Sequence, residues 1–93
     1  MVISFSDIRR LRNWAKENKL KIKVTFQGVP YTLVINKYIR AEDRTGRKIE
    51  WFQAFGTKSP HQVLSSFKIE KITIRGKTSK EIYNIEELLR MLK

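Results

Sequence analysis

Leu20-Lys21-Ile22-Lys23-Val24-Thr25-Phe26-Gln27 alternates apolar and polar residues without a break, the period-two pattern of a strand that buries one face and wets the other. Leu20, Ile22, Val24 and Phe26 point one way, and Lys21, Lys23, Thr25 and Gln27 the other. Gly28-Val29-Pro30 then interrupts the pattern as a turn. Tyr31, Leu33, Ile35, Ile39 and Ala41 resume the alternation with Lys37 out of phase, which predicts a long strand bulged near Asn36-Lys37. Glu42 to Arg47 reads as a hairpin loop, and Lys48 to Phe55 as the returning strand. With Ile49, Trp51 and Phe55 on one face and Phe52 and Ala54 on the other, that strand is expected to be central and its Trp51 and Phe52 to lie in the core.

Helices flank this run of strands. Upstream, Ser4 and Asp7 stand at the spacing of a capping box and Ile3 with Ile8 at that of a hydrophobic staple. A helix follows, with Ile8, Leu11, Trp14 and Ala15 as its buried stripe and an end near Asn18. Downstream, Ser59-Pro60-His61-Gln62 predicts a short helix with Ser59 as N-cap, Pro60 in its first turn and Gln62 closing a capping box. Phe67 to Arg75 is a strand with a phase slip at Glu70-Lys71, and Gly76 a turn. The C-terminal segment has two possible helix starts, Ser79 or Asn84. From either one, Ile85, Leu88, Leu89 and Leu92 make a single apolar stripe.

The charge rides on this folded pattern. The 93 residues carry 20 Lys+Arg against 9 Asp+Glu, a net charge of +11, with 41% hydrophobic residues. A basic disordered tail would gather its cations in one block, whereas here they alternate with apolar residues from Arg9 to Lys80, so they belong to a folded surface. Such a surface attracts polyanions through its field and through counterion release, which makes nucleic acid, DNA or RNA, the expected partner. The length allows one domain, residues 1–93. The absence of cysteine excludes disulfides and thiolate metal sites and favours a reducing, cytoplasmic setting. No apolar run is long enough for a signal peptide or a membrane span.

The candidate contacts fall in groups. Arg9, Arg10, Arg12 and Lys16 on the first helix, Lys19 just past it, and Lys21 and Lys23 on the first strand make a run of seven cations with Glu17 the only acid among them. Arg40, Arg44, Arg47 and Lys48 flank the predicted hairpin loop, where arginines can grip phosphates. Lys68, Lys71, Arg75, Lys77 and Lys80 form a third group. Tyr38 is in phase with the polar positions Thr32, Asn36 and Arg40, which marks it as an exposed aromatic able to stack on a base. Catalytic readings find little. Gly76-Lys77-Thr78 lacks the glycine that a phosphate-binding loop needs five positions earlier, where Lys71 stands. His61 is the sole histidine, and Glu17-Asn18-Lys19, though spelled like a nuclease motif, lies at a helix end. No metal or other cofactor is expected.

Phe67-Lys68-Ile69-Glu70-Lys71-Ile72 resembles the closing-strand motif of Sm-like small barrels of the WYL type, with Trp51-Phe52-Gln53 a loose analogue of the tripeptide that names them. The resemblance implies a small bent-sheet barrel used in nucleic-acid binding or regulation.

These readings converge on an α+β fold. A small bent antiparallel sheet of four or five strands, an SH3-like or Sm-like barrel, carries an N-terminal helix, a short inserted helix and a C-terminal amphipathic helix. A winged-helix variant is the second choice, set back because strands outnumber helices. The expected function is non-enzymatic nucleic-acid binding. The alternative is an interaction or assembly module for an acidic protein, homodimer included, with the C-terminal stripe as its adhesive surface.

Overall fold

The computed structural model describes residues 3–92. Met1, Val2 and Lys93, the outermost positions of the expected domain, lie outside the described residues. Helix α1 (Phe5–Glu17) starts where its caps predict. The Ser4 hydroxyl accepts the Asp7 N–H at 3.2 Å and the Asp7 carboxylate accepts the Ser4 N–H at 3.1 Å, matching donors that a helix end otherwise leaves free. Ile3 and Ile8 are both buried, as the staple requires.

Six strands follow: β1 (Lys21–Phe26), β2 (Tyr31–Ile35), β3 (Ile39–Asp43), β4 (Lys48–Ile49), β5 (Ile69–Arg75) and β6 (Ser79–Ile82). All pair antiparallel, in the order β4-β3-β2-β1-β5-β6. The strand with the clearest alternation thus lies inside the sheet, where one face must be dry. Ile22, Val24 and Phe26 share a core with Leu33, Ile35, Ala41, Ile72 and Ile74. Ile8, Leu11 and Ala15 of α1 pack into the same core, as do the buried residues of α2 (Trp51–Phe55), α3 (Pro60–Ser66) and α4 (Ile85–Arg90). The helices therefore cover one face of the sheet.

Three expectations are corrected. The long strand from Tyr31 to Ala41 is a hairpin, β2 and β3, with Ile35 opposite Ile39. Asn36 makes the turn: its Oδ1 accepts the Tyr38 N–H at 2.9 Å and its own N–H donates to the Tyr38 carbonyl at 3.0 Å, as short Asx side chains do in place of a ladder. Lys37 is out of phase because it is the turn, not a bulge.

The central strand from Lys48 to Phe55 does not form either. Strand β4 is two residues long and lies at the edge, and Trp51–Phe55 is helical. Trp51 and Phe55, one helical turn apart, pack with ring centroids 4.9 Å apart, and the Trp51 indole N–H donates to the Lys58 carbonyl at 2.8 Å. Phe55 meets Phe26 and Tyr31 edge-on, whereas Phe52 is 67% exposed rather than in the core. Gly56, at φ +64°, ends the helix in a conformation that L-residues avoid.

Third, the sheet is open. Strands β4 and β6 are its two edges, and with the chain turning into α2 after Ile49, β4 is too short to close an SH3-like or Sm-like barrel. What stands is an α+β fold with a single antiparallel sheet.

Elsewhere the chain follows its local signals. The Gln62 side chain accepts the Ser59 N–H at 2.8 Å at the start of α3. Thr25 pairs with Lys71 and Phe26 with Ile69, which leaves Glu70 as the extra residue of a bulge at the expected slip. Of the two C-terminal starts, Asn84 caps α4 by accepting the Glu87 N–H at 2.9 Å, and Ser79–Ile82 is strand. No helix among the described residues is long and apolar enough to cross a membrane.

Candidate functional site

Because Ile22, Val24 and Phe26 face the helices, Lys21, Lys23 and Thr25 face the other way. The register extends that helix-free face across the sheet: Lys23 stands beside Val34 and Val34 beside Arg40, Thr32 beside Glu42, Glu42 beside Lys48, and Lys21 beside Arg75. The face is cationic, and its centre is dry. Val34 has no exposed surface, although it lies outside the main core. Its cross-strand neighbours Lys23 and Arg40 have aliphatic stems long enough to shield it while their charges stay wet.

Beside Val34 lies a charge cluster. Glu42 is 3% exposed and is surrounded by Lys21 Nζ at 3.5 Å, Lys23 Nζ at 3.5 Å and Arg40 Nε at 3.4 Å. These are ion pairs without good hydrogen bonds: Glu42 Oε1 and Arg40 Nε are buried and make none. One carboxylate thus gathers three cations and leaves them in excess by two.

At the end of the sheet where α1 meets β1, an open cleft of about 500 Å³ is lined by Lys16, Lys19, Lys21, Lys37 and Arg75, with Asn36, Gly76, Ala15 and Leu20 between them. No carboxylate lines it. Each cation arrives on a different device. Lys16 comes from the last turn of α1. Lys19 follows the C-cap Asn18 in a Schellman turn, with Leu20 N–H bonded to the Ala15 carbonyl at 2.8 Å and Lys19 N–H to that of Lys16 at 3.4 Å. Lys21 opens β1, Lys37 sits in the β2–β3 turn, and Arg75 ends β5. Lys37 Nζ also lies 5.6 Å from the ring centre of Tyr38, which is 64% exposed. Past Tyr38, a groove of about 420 Å³ is bounded by Tyr38, Arg40, Lys48, Glu50 and Trp51.

The expected contacts are therefore divided. Lys21, Lys23, Arg40 and Lys48 share the helix-free face, with Tyr38 at its rim, and Lys16 reaches it through the cleft. Arg9, Arg10 and Arg12 stay with the helical layer on the opposite side. Arg10 pairs with Asp7 at 3.6 Å, and Arg9 and Arg12 border a small apolar hollow with Phe5, Ile39 and His61. Arg44 and Arg47 occupy the β3–β4 turn, at the end of β3 away from the cleft, where Arg44 donates to the Val29 carbonyl at 3.3 Å. That turn is organised by Asp43, whose carboxylate accepts the Thr45 hydroxyl at 2.6 Å and the backbone N–H of Thr45 and Arg47. Its pKa is held below the ordinary carboxylate value, first by the Thr45 hydroxyl and then by the Arg47 amide.

In the sequence Lys19 and Arg75 fall in two separate cation groups and Lys37 in none, so nothing local brings the three together. Their signal is topological: β5 lies beside β1, and only that pairing puts Arg75 opposite Lys21. His61 lies 3.0 Å from the Ser59 hydroxyl and edge-on to Phe5, a packing role at the start of α3. Ile85 and Leu88 of the C-terminal stripe are in the protein's own core. Among the described residues, no group of three or more His, Asp or Glu stands where it could hold a metal ion. Compared with protein-family models, with curated proteins and with solved structures, the chain matches none.

Proposed function

We propose that this protein is a non-enzymatic nucleic-acid-binding protein that holds phosphates on the helix-free face of its sheet. The observation that carries the reading is the cleft in which Lys16, Lys19, Lys21, Lys37 and Arg75 converge with no carboxylate. Lys23 and Arg40 continue the positive surface across the sheet, and the exposed ring of Tyr38 offers a stacking platform beside it. A backbone laid along this face meets cations at the cleft first. Arg9, Arg10 and Arg12, on the other layer, are outside its path. A reducing, cytoplasmic setting belongs to the same reading, since the sequence holds no cysteine.

The test is a binding comparison of single- and double-stranded DNA and RNA at several salt concentrations. If about five phosphates are neutralised, affinity falls by roughly 100- to 500-fold between about 50 and about 200 mM salt. Arg75→Ala should lower the salt slope by about one contact, and Arg12→Ala should leave it unchanged. Tyr38→Ala should weaken single-strand binding by about 1–3 kcal/mol without altering the slope. No binding at low salt, or an affinity indifferent to salt, refutes the proposal.

A further inference from the structure

Two features of the cleft work against the stability of the fold that contains them. Lys19 occupies the left-handed position of the Schellman turn at φ +53°, where a side chain crowds its own backbone and glycine is the usual occupant. Nothing in the turn requires a side chain: both closing hydrogen bonds are made by backbone groups. Lys21 and Arg75 stand directly opposite each other across β1 and β5, an arrangement in which like charges repel. Lys21 has Glu42 as a counterion at 3.5 Å. Lys16, Lys19, Lys37 and Arg75 have no carboxylate within ion-pair distance among the described residues. A strained lysine and a cross-strand pair of cations of which only Lys21 has a counterion are costs gathered in one cleft, and such costs cluster where a ligand repays them.

We propose that this cleft is a site for clustered phosphates, two or three linked groups on one ligand, with Lys19 held in its strained conformation to complete the cationic ring. The proposal rests on the nucleic-acid reading only for the source of the phosphates. Five cations brought to one cleft by α1, the turn after it, β1, the β2–β3 turn and β5 offer more charge in one place than a single backbone phosphate needs, and clustered phosphates would use it. The shared chemistry is a di- or triphosphate, supplied either by the 5′ end of a nucleic acid or by a free polyphosphate. The ammonium groups and the Arg75 guanidinium would bind its non-bridging oxygens through charge-assisted hydrogen bonds. The Asn36 side-chain carbonyl is already engaged by the Tyr38 N–H, which leaves its amide as a further donor.

The decisive substitution is Lys19→Gly, which relaxes the backbone and removes one cation. With sodium tripolyphosphate as the probe and sodium sulfate at equal ionic strength as the control, amide NMR shifts of the whole protein should change saturably at Lys19, Lys21, Lys37 and Gly76 for tripolyphosphate alone. Lys19→Gly should bind tripolyphosphate at least about fivefold more weakly, the loss of about one charged contact. Its melting temperature should be equal to or higher than that of the wild type. Equal tripolyphosphate binding by Lys19→Gly, a lowered melting temperature, or shifts spread evenly over Arg9 to Arg12 and Arg44 to Arg47 overturns the proposal. Oligonucleotides bearing a 5′-triphosphate or a 5′-hydroxyl separate the sources: tighter binding of the triphosphate assigns the site to nucleic-acid ends, and equal binding assigns it to a free polyphosphate. Oligonucleotide binding without tripolyphosphate binding refutes the cleft alone. Tripolyphosphate binding without any oligonucleotide binding supports the cleft and refutes the nucleic-acid reading.

Discussion

Replacing Glu42 with glutamine keeps the shape of the side chain and removes its charge, so its effect isolates what the carboxylate does for the three cations around it. Each pair at 3.4–3.5 Å is attractive by about 4–5 kcal/mol at an effective dielectric near 20. The burial of the carboxylate and the mutual repulsion of Lys21, Lys23 and Arg40 offset much of that sum. Removing one partner from a buried pair costs about 3–5 kcal/mol. Here the cations keep 25–35% of their side-chain surface exposed and can turn partly to water, which brings the expected loss down to about 2–3 kcal/mol. For a domain of this size that is a fall in Tm of roughly 10–20 °C. Urea unfolding at low and high salt is the assay, and the gap should narrow at high salt, where the cations left facing one another are screened. Binding should move the other way: with one negative charge gone from the face, Glu42→Gln should bind oligonucleotides more tightly at low salt. A Tm change of under about 2 °C, or a gap that widens with salt, refutes the claim that Glu42 holds the cation cluster together.

Two further outcomes follow from other parts of the fold. Leu88→Ala should destabilise by about 2–5 kcal/mol in urea unfolding, because Leu88 is wholly buried and anchors a helix of 6 residues that has no stability of its own; a loss below about 1 kcal/mol would remove α4 from the core. The Asp43 turn should respond to acid in a defined direction. With its pKa depressed, its contribution is complete above the ordinary carboxylate value and is lost as pH falls through the lowered one. The Thr45 and Arg47 amide signals should therefore shift late in an acid titration, and Asp43→Asn should abolish that late shift.

How far the sequence carries the fold depends on whether the deciding contact is local. The Ser4, Ser59 and Asn84 caps act over three residues and were legible, as was the alternation of β1. The extra residue at Glu70 was legible because a bulge leaves a phase slip in one strand. Trp51–Phe55 was misread because residues four apart share a face in a helix and also in a strand. Phe52, apolar but exposed, tipped the pattern toward a strand buried on both sides. Gly56 was the available signal against it, since a glycine just past Phe55 fits a helix end. The hairpin at Asn36 was misread for a related reason. A tight turn restores the same inward face on the return strand, so Tyr31, Leu33, Ile35, Ile39 and Ala41 kept one phase and resembled one strand. The faces were right although the topology was wrong.

The candidate site was less legible than the fold because it depends on which strands become neighbours. Lys21, Lys23 and Arg40 could be placed on polar faces from periodicity, but no local signal tells that β5 returns to lie beside β1. That pairing alone sets Arg75 against Lys21, and the packing of α1 on the Ile22, Val24 and Phe26 face separates the helical arginines from the strand lysines, which sequence proximity joins. Lys19 was visible in the chain as one lysine among many. Its conformation distinguishes it, because a lysine where glycine would fit better is a choice that solubility does not require: any exposed position would carry the charge without strain. The same reasoning separates the two cationic layers. Arg9, Arg10 and Arg12 sit on an ordinary helix surface, and Arg10 has Asp7 beside it, so their charge needs no ligand to be tolerated. The cleft holds one cation in a strained conformation and two in a like-charged pair, with a carboxylate beside only one of its five, and the anion proposed for it would offset that charge.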